Sequence, residues 1–201
     1  MAAPETSKKS IDASPYAPGS LQDHFLISMP HMADQNFDHT VTYICDHSEY
    51  GAMGIVVNRP LDMGFQELME HLKLTEDLPI SNAPIYAGGP VQSDRGFILH
   101  LSDQSNWTSS YSISEQLSLT TSLDILEAIA NGDGPQHYLI ALGYAGWGAG
   151  QLEQEMSDNA WLSCPANLDI IFDTPAEERL QAAASILGVN LDLLTSQSGH
   201  A

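Results

Sequence analysis

The sequence predicts an α+β fold built on one strand-rich domain. Strand-sized apolar runs cluster together with helical patterns set between them, and no regular strand–helix alternation of the doubly wound kind is present. The longest apolar runs, such as Tyr138 to Leu142, suit strands, and none approaches the ~20 residues that a bilayer span needs. No membrane association is therefore expected.

Residues 1–19 are rich in Ser, Ala and Pro, lack periodicity and read as a flexible tail; the domain is expected over 20–190, followed by a C-terminal tail over 191–201. Phe25, Leu26 and Ile27 predict a short strand ending at Pro30. From His39 to Cys45 the side chains alternate, with Val41, Tyr43 and Cys45 on one face and Thr40, Thr42 and Ile44 on the other. Met53 to Val57 reads as an apolar strand closed by Asn58-Arg59-Pro60. Phe65, Leu68, Met69 and Leu72 share one face at helical spacing. Strands at Ile85 to Ala87 and Gly96 to Leu101 are separated by Gly88-Gly89-Pro90, which reads as a hairpin-type turn.

Tyr111 to Leu119 is a weaker strand pattern. A helix from about Ser122 turns Leu126, Ile129 and Ala130 inward and stops at Asn131-Gly132. His137 to Leu142 is the next strand. A glycine-rich junction (Gly143, Gly146, Gly148, Gly150) then leads to a helix near 150–159, with a short strand at Trp161 to Cys164. In Thr174-Pro175-Ala176-Glu177 an N-cap, a proline at the first helical position and a glutamate at the third spell a capping box. Leu180, Ala183, Ala184 and Leu187 would form the buried stripe of that last helix, ended by Gly188.

Charge excludes more than it suggests. The 201 residues carry 6 basic and 26 acidic side chains, a net charge of −20. A nucleic-acid binder draws its affinity from Lys and Arg on phosphates, so direct DNA binding is disfavoured on physics alone. The first 20 residues hold two lysines but no apolar segment after them, so they do not read as a secretory signal. Cys45 and Cys164 match neither a redox pair nor a zinc spacing, and a reducing cytoplasm is the expected compartment.

Strand, glycine loop and helix N-terminus is the order that cradles phosphates, but the spacing here fits neither nucleotide fingerprint. No lysine follows, and Glu153 stands in the first turn, where it would occupy the positive end of the dipole or reach back to the Gly150 N–H. A structural turn is the first reading, with a site for a ligand or protein partner as the alternative. Trp147 and Trp161 read as core plugs, or else as exposed anchors for a partner. Arg59 is either part of a turn or a ligand hook. The segment around Gly88-Gly89-Pro90, with Arg95 nearby, is the one corner suited to an anion.

Asp23-His24, Asp38-His39 and Asp46-His47 repeat an acid–imidazole pair, but their scatter suits no metal geometry, and neither metal nor cofactor is expected. Cys45 and His47 would share a strand face some 6–7 Å apart, and an inert buried thiol is the expected state. For an enzyme, only Glu155 with His100 or His137 offers two titratable groups worth pairing.

The segments FLISMPHM (25–32), GAMGIVVNRP (51–60), IYAGGPVQ (85–92), RGFILH (95–100), DGPQHYLIALGYAGWGAGQLEQE (133–155), NAWL (159–162) and FDTPAEERL (172–180) together resemble the YqgE/AlgH family of bacterial proteins. The resemblance covers about residues 20–190. It departs in the longer Ser/Pro tail and at Leu180, where similar proteins often carry an aromatic residue. It implies a bent mixed sheet closing into a pseudo-barrel flanked by helices. Members are often labelled transcriptional regulators, and no reaction, cofactor or catalytic residue comes with the family. The expectation is a non-enzymatic protein that binds a protein or small-molecule partner. Its candidate surface is Asn58, Arg59, Gly88, Gly89, Pro90, Arg95, Trp147, Gly148, Gly150, Gln151 and Glu155, provided the fold gathers these turns.

Overall fold

A long bent strand, β9 (Tyr138–Gly148), is the spine of the molecule. The computed structural model describes residues 17–74, 82–102 and 106–195, so most of the expected N-terminal tail lies outside the described residues. The other strands are β1 (His24–Ser28), β2 (Val41–Ser48), β3 (Gly51–Val56), β4 (Pro60–Gly64), β5 (Pro84–Ala87), β6 (Val91–Leu101), β7 (Ser110–Ser112), β8 (Leu117–Thr120) and β10 (Trp161–Pro165). They form one sheet in the order β10-β1-β2-β3-β9-β6-β8-β7, with β5 pairing both β4 and β9. Every ladder is antiparallel except β5 with β9.

The helices are α1 (Phe65–His71), α2 (Leu123–Asn131), α3 (Gln151–Ser157), α4 (Leu168–Phe172), α5 (Arg179–Ile186) and α6 (Leu191–Thr195). The sheet curls so that its inner face holds the largest core, with Phe25, Tyr43, Ile55, Phe97, Leu99 and Leu117 packed under α4 and α5. On the outer face, α1 and α2 cover Ile85, Ile98 and Ile140 through Phe65, Met69, Ile125 and Ile129. That matches the helical spacing in both segments, and α2 ends on Gly132 at φ +82°, where glycine carries no steric penalty. A third cluster lies beneath α3, formed by Leu26, Ile44, Ala52, Trp147, Leu152 and Trp161.

Several local expectations are corrected. The glycine-rich stretch after Leu142 is not a loop but the second half of β9, which pairs with β3 from Ala145 to Gly148. Gly88-Gly89-Pro90 is not a hairpin turn, because β5 and β6 do not pair with each other: β9 lies between them. The connection steps across β9 at its bend. A Cβ on Gly88 would lie 2.3 Å from the Gly143 carbonyl oxygen, and one on Gly143 equally close to that of Gly89, so the glycines of the two motifs interlock.

The capping box before α5 does not form. Thr174 Oγ1 instead donates back to the Asp169 carbonyl at 3.0 Å, and the chain enters through a 3-10 turn, Ala176–Glu178. Leu180, Ala183 and Ala184 do pack inward, but Leu187 is exposed. Beyond residue 190 the described chain continues into α6, whose Leu191 is buried in the main core.

Two irregularities reset side-chain parity along the strands. In β2 the register with β3 shifts between Ile44 and Asp46, leaving Cys45 as the extra residue. Cys45 therefore stays in the inner core, while His47 turns to the outer face and meets α3. The expectation that Cys45 and His47 share a face is overturned by this bulge. In β9, Gly143 at φ +73° does the same, placing Tyr144 inward beside Phe97 and Trp147 outward under α3.

Candidate functional site

The inner face is not filled along its whole length. A groove of about 520 Å³ opens at the mouth of the curl, floored by Met53, Phe97 and Tyr144 and walled by Tyr111 and Leu119. A shallower trough continues it over Gly51, Gly146 and Tyr50, with Asp46, Met53 and Tyr144 common to both. Tyr50, at the tip of the β2–β3 hairpin, is 82% exposed.

Arg95 reaches this mouth because the β6–β9 register breaks between Val91 and Gly96, and the bulged residues re-aim its side chain. Its guanidinium lies over the Phe97 ring at 5.7 Å and donates to Thr121 Oγ1 at 3.1 Å and weakly to Gln92 Oε1 at 3.4 Å. Among the described residues Arg95 forms no ion pair. Asp46 faces the groove from β2, on the far side of β3 and β9. Partial burial pushes the Tyr111 phenol above its ordinary value, and the Asp46 charge across the mouth adds to this.

The remaining candidate residues divide between the two ends of β3. Asn58 and Arg59 adjoin Gly88 at one end, where Ala87 N–H donates to the Arg59 carbonyl and Val56 N–H to that of Gly88. Trp147, Gly148, Gly150, Gln151 and Glu155 sit at the other end, where Gly51 pairs with Gly148. They do not form one surface. Arg59 is not a free hook: it donates to the carbonyls of Gln35, Asn36 and Asp38 and clamps that loop. Asn58 accepts from Val41 N–H and donates to the His39 carbonyl, closing the same corner.

Trp147 and Trp161 are core plugs, 6% and 3% exposed. Their rings bracket Phe37, and both indole nitrogens donate to Glu155 Oε2, at 2.9 and 2.8 Å. Gln151 Nε2 donates to the other oxygen at 2.9 Å. Glu155 is thus a structural acceptor. His100 is buried on β6 against Thr120, and His137 lies 3.8 Å from Asp173, so neither joins Glu155.

Glu153 does not reach back to Gly150 but accepts from His47 Nε2 at 2.7 Å. Its own backbone N–H and then the His47 hydrogen bond hold its carboxyl below the usual glutamate range. Burial first, and the Asp46 charge second, push the Cys45 thiol far above its ordinary value, which leaves it protonated and unreactive. Among the described residues no group of three or more His, Cys, Asp or Glu is placed to hold a metal, and no helix is long and apolar enough to cross a membrane.

Sequence reasoning missed Arg179. It is buried, donates to the carbonyls of Thr174 and Val57, and stacks over Tyr86 at 5.0 Å. It also passed over Asp46, Tyr111 and Tyr144 as lining residues. The breaks at Cys45 and Val91–Gly96 leave no mark in the local sequence, whereas the one that turns Tyr144 inward falls at Gly143.

A curled, mostly antiparallel half-barrel with helices on both faces and an open mouth defines the class: a mixed α+β protein of the AlgH type. The AlgH-like family model (DUF179) matches residues 25–192, and the chain belongs to that family. It is 58% identical over 188 residues to a UPF0301 protein of Pseudomonas aeruginosa (strain UCBPP-PA14), covering 92% of this chain and 98% of the relative. With a UPF0301 protein of Thioalkalivibrio sulfidiphilus the identity is 54% over 185 residues, covering 92% and 99%. The solution structure of the AlgH protein from Pseudomonas aeruginosa superposes with a TM-score of 0.77 at 56% identity, covering 94% of this chain and 100% of that one. A crystal structure from Corynebacterium diphtheriae shares the fold alone, with a TM-score of 0.69 at 18% identity over 87% of this chain and 91% of that one.

Proposed function

We propose that this protein is a non-enzymatic regulatory protein of the cytoplasm that works by binding a small-molecule or protein partner at the half-barrel mouth. One observation carries the reading: an open groove of about 520 Å³ with an aromatic floor and a cation, Arg95, that forms no ion pair among the described residues. That volume lies within the ~300–1,000 Å³ of ordinary ligand sites. The acid and imidazole groups nearest to chemistry are committed elsewhere, Glu155 to two indoles and His47 to Glu153 and the Leu21 N–H. A net charge of −20 argues against a duplex as the partner.

Thermal-shift screening of the purified chain against a metabolite collection tests this. A ligand present at 100 times its Kd stabilises by about 2.7 kcal/mol, which a 201-residue protein reports as a clear rise in Tm. The reading expects such a ligand to be bound and recovered unchanged. Turnover of a metabolite, or retardation of a DNA duplex at physiological salt, overturns it.

A further inference from the structure

The chemistry of the groove also points to what it takes. Arg95 is one of only 6 cations among 201 residues and, among the described residues, the only one lining this mouth. Its fork is oriented by Thr121 and Phe97, not by a carboxylate, so donor capacity and charge remain for a ligand. Next to it, Phe97 and Tyr144 meet edge to face with centroids 5.4 Å apart and present an aromatic floor. The Ser109 and Thr121 hydroxyls line the same end and can donate to a ligand, while that of Thr108 is already given to Asp124 Oδ2 at 2.8 Å.

The opposite end carries the other sign. Asp46 and Arg95 stand on β2 and β6, three strand spacings apart in the order β2-β3-β9-β6, or about 14 Å of curled sheet at ~4.8 Å per spacing. A ligand bearing a second negative group on the β2 side of the groove would meet Asp46 there. A ligand with one negative group and an apolar, flat body fits both poles.

We infer that the half-barrel mouth is a binding site for a small aromatic or flat apolar monoanion, its carboxylate or sulfonate held by Arg95 and its body laid over Phe97 and Tyr144. This rests on the reading of the protein as a binder and assigns the ligand class to that same groove. Asp46 sets the selectivity by repelling a second negative charge.

The test is fluorescence titration of the full chain with anilinonaphthalene sulfonate, a flat monoanion, beside neutral N-phenylnaphthylamine. The native protein is expected to bind both. Arg95→Gln should weaken the sulfonate by about tenfold or more, as loss of a charge-assisted contact does, and leave the neutral probe within about twofold. Asp46→Asn, an isosteric change at an exposed residue, should tighten the sulfonate by about two- to fivefold. Arg59→Gln, a control for general charge, should change neither probe. Equal sulfonate binding by native and Arg95→Gln protein, or an equal loss in Arg59→Gln, overturns the assignment. Binding of the neutral probe without the sulfonate removes the anion assignment alone. Turnover of a metabolite removes the reading beneath it.

Discussion

Glu153 on α3 accepts a hydrogen bond from His47 on β2 at 2.7 Å, joining residues 106 positions apart across the outer face of the sheet. The other ring nitrogen of His47 accepts from the Leu21 N–H at 2.8 Å, so the proton on the imidazole sits on Nε2 and points at Glu153. The contact fastens the segment before β1 to α3.

This arrangement fixes a pH dependence. Glu153 has a folded pKa below its unfolded value, lowered first by its own backbone N–H and then by His47. Its contribution is therefore fully present above the ordinary glutamate range and is lost as pH falls through the lowered folded value. Urea denaturation of native and Glu153→Gln protein should show a stability gap at neutral pH that closes in acid. A gap constant with pH contradicts this.

Glu155 answers both Trp147 and Trp161, so its removal leaves two buried indole N–H groups unsatisfied. Glu155→Ala should destabilise by roughly 2–6 kcal/mol, at ~1–3 kcal/mol for each orphaned donor. For a chain of this length, at ~2–4 °C per kcal/mol, that lowers Tm by about 4–24 °C. Glu155→Gln keeps an acceptor and should lose much less. Differential scanning calorimetry of both variants separates a structural carboxylate from a functional one.

The glycines differ in what they do, and alanine substitution should sort them. A Cβ at Gly89, where φ is +154°, would fall 2.1 Å from the Tyr144 carbonyl carbon. Gly89→Ala should cost more than ~4 kcal/mol or prevent folding. Gly150, at φ +73° with open space around it, should cost only ~1–2 kcal/mol on the same change. Soluble yield and denaturation midpoints check the contrast.

Arg179 is buried and forms no ion pair among the described residues, its charge spread over two carbonyls and the Tyr86 ring. Arg179→Lys cannot reproduce the fork that reaches Thr174 and Val57 together. It should destabilise by about 2–4 kcal/mol, measured by chemical denaturation.

Where local pattern decides the structure, the sequence was readable. The α1 stripe and the Gly132 stop are settled within a dozen residues, and the structure keeps both. Thr174 shows where that fails: a competing acceptor on Asp169 captures its hydroxyl, which propensity cannot register. The glycine motifs were visible, but their reason was not, because Gly143 is required by the crossing of Gly88 and Gly89, more than fifty residues earlier in the chain. The groove was the least legible part. Its lining comes from β2, β3, β6, β7, β8 and β9, and the irregularities at Cys45, Gly143 and Val91–Gly96 decide which side chains face it. Of the candidate surface, only Arg95 lines this mouth, and Trp147 edges the adjoining trough.

Binding at the mouth of the curl is tested most directly by an NMR titration of isotope-labelled full-length protein with a flat aromatic carboxylate such as naphthoate. Shifts concentrated at Arg95, Phe97, Thr121 and Tyr144, with the carboxylate spectrum unchanged over hours, are the expected result. Shifts confined to α3 and the Trp147–Trp161 cluster, or steady conversion of the added compound, would contradict it.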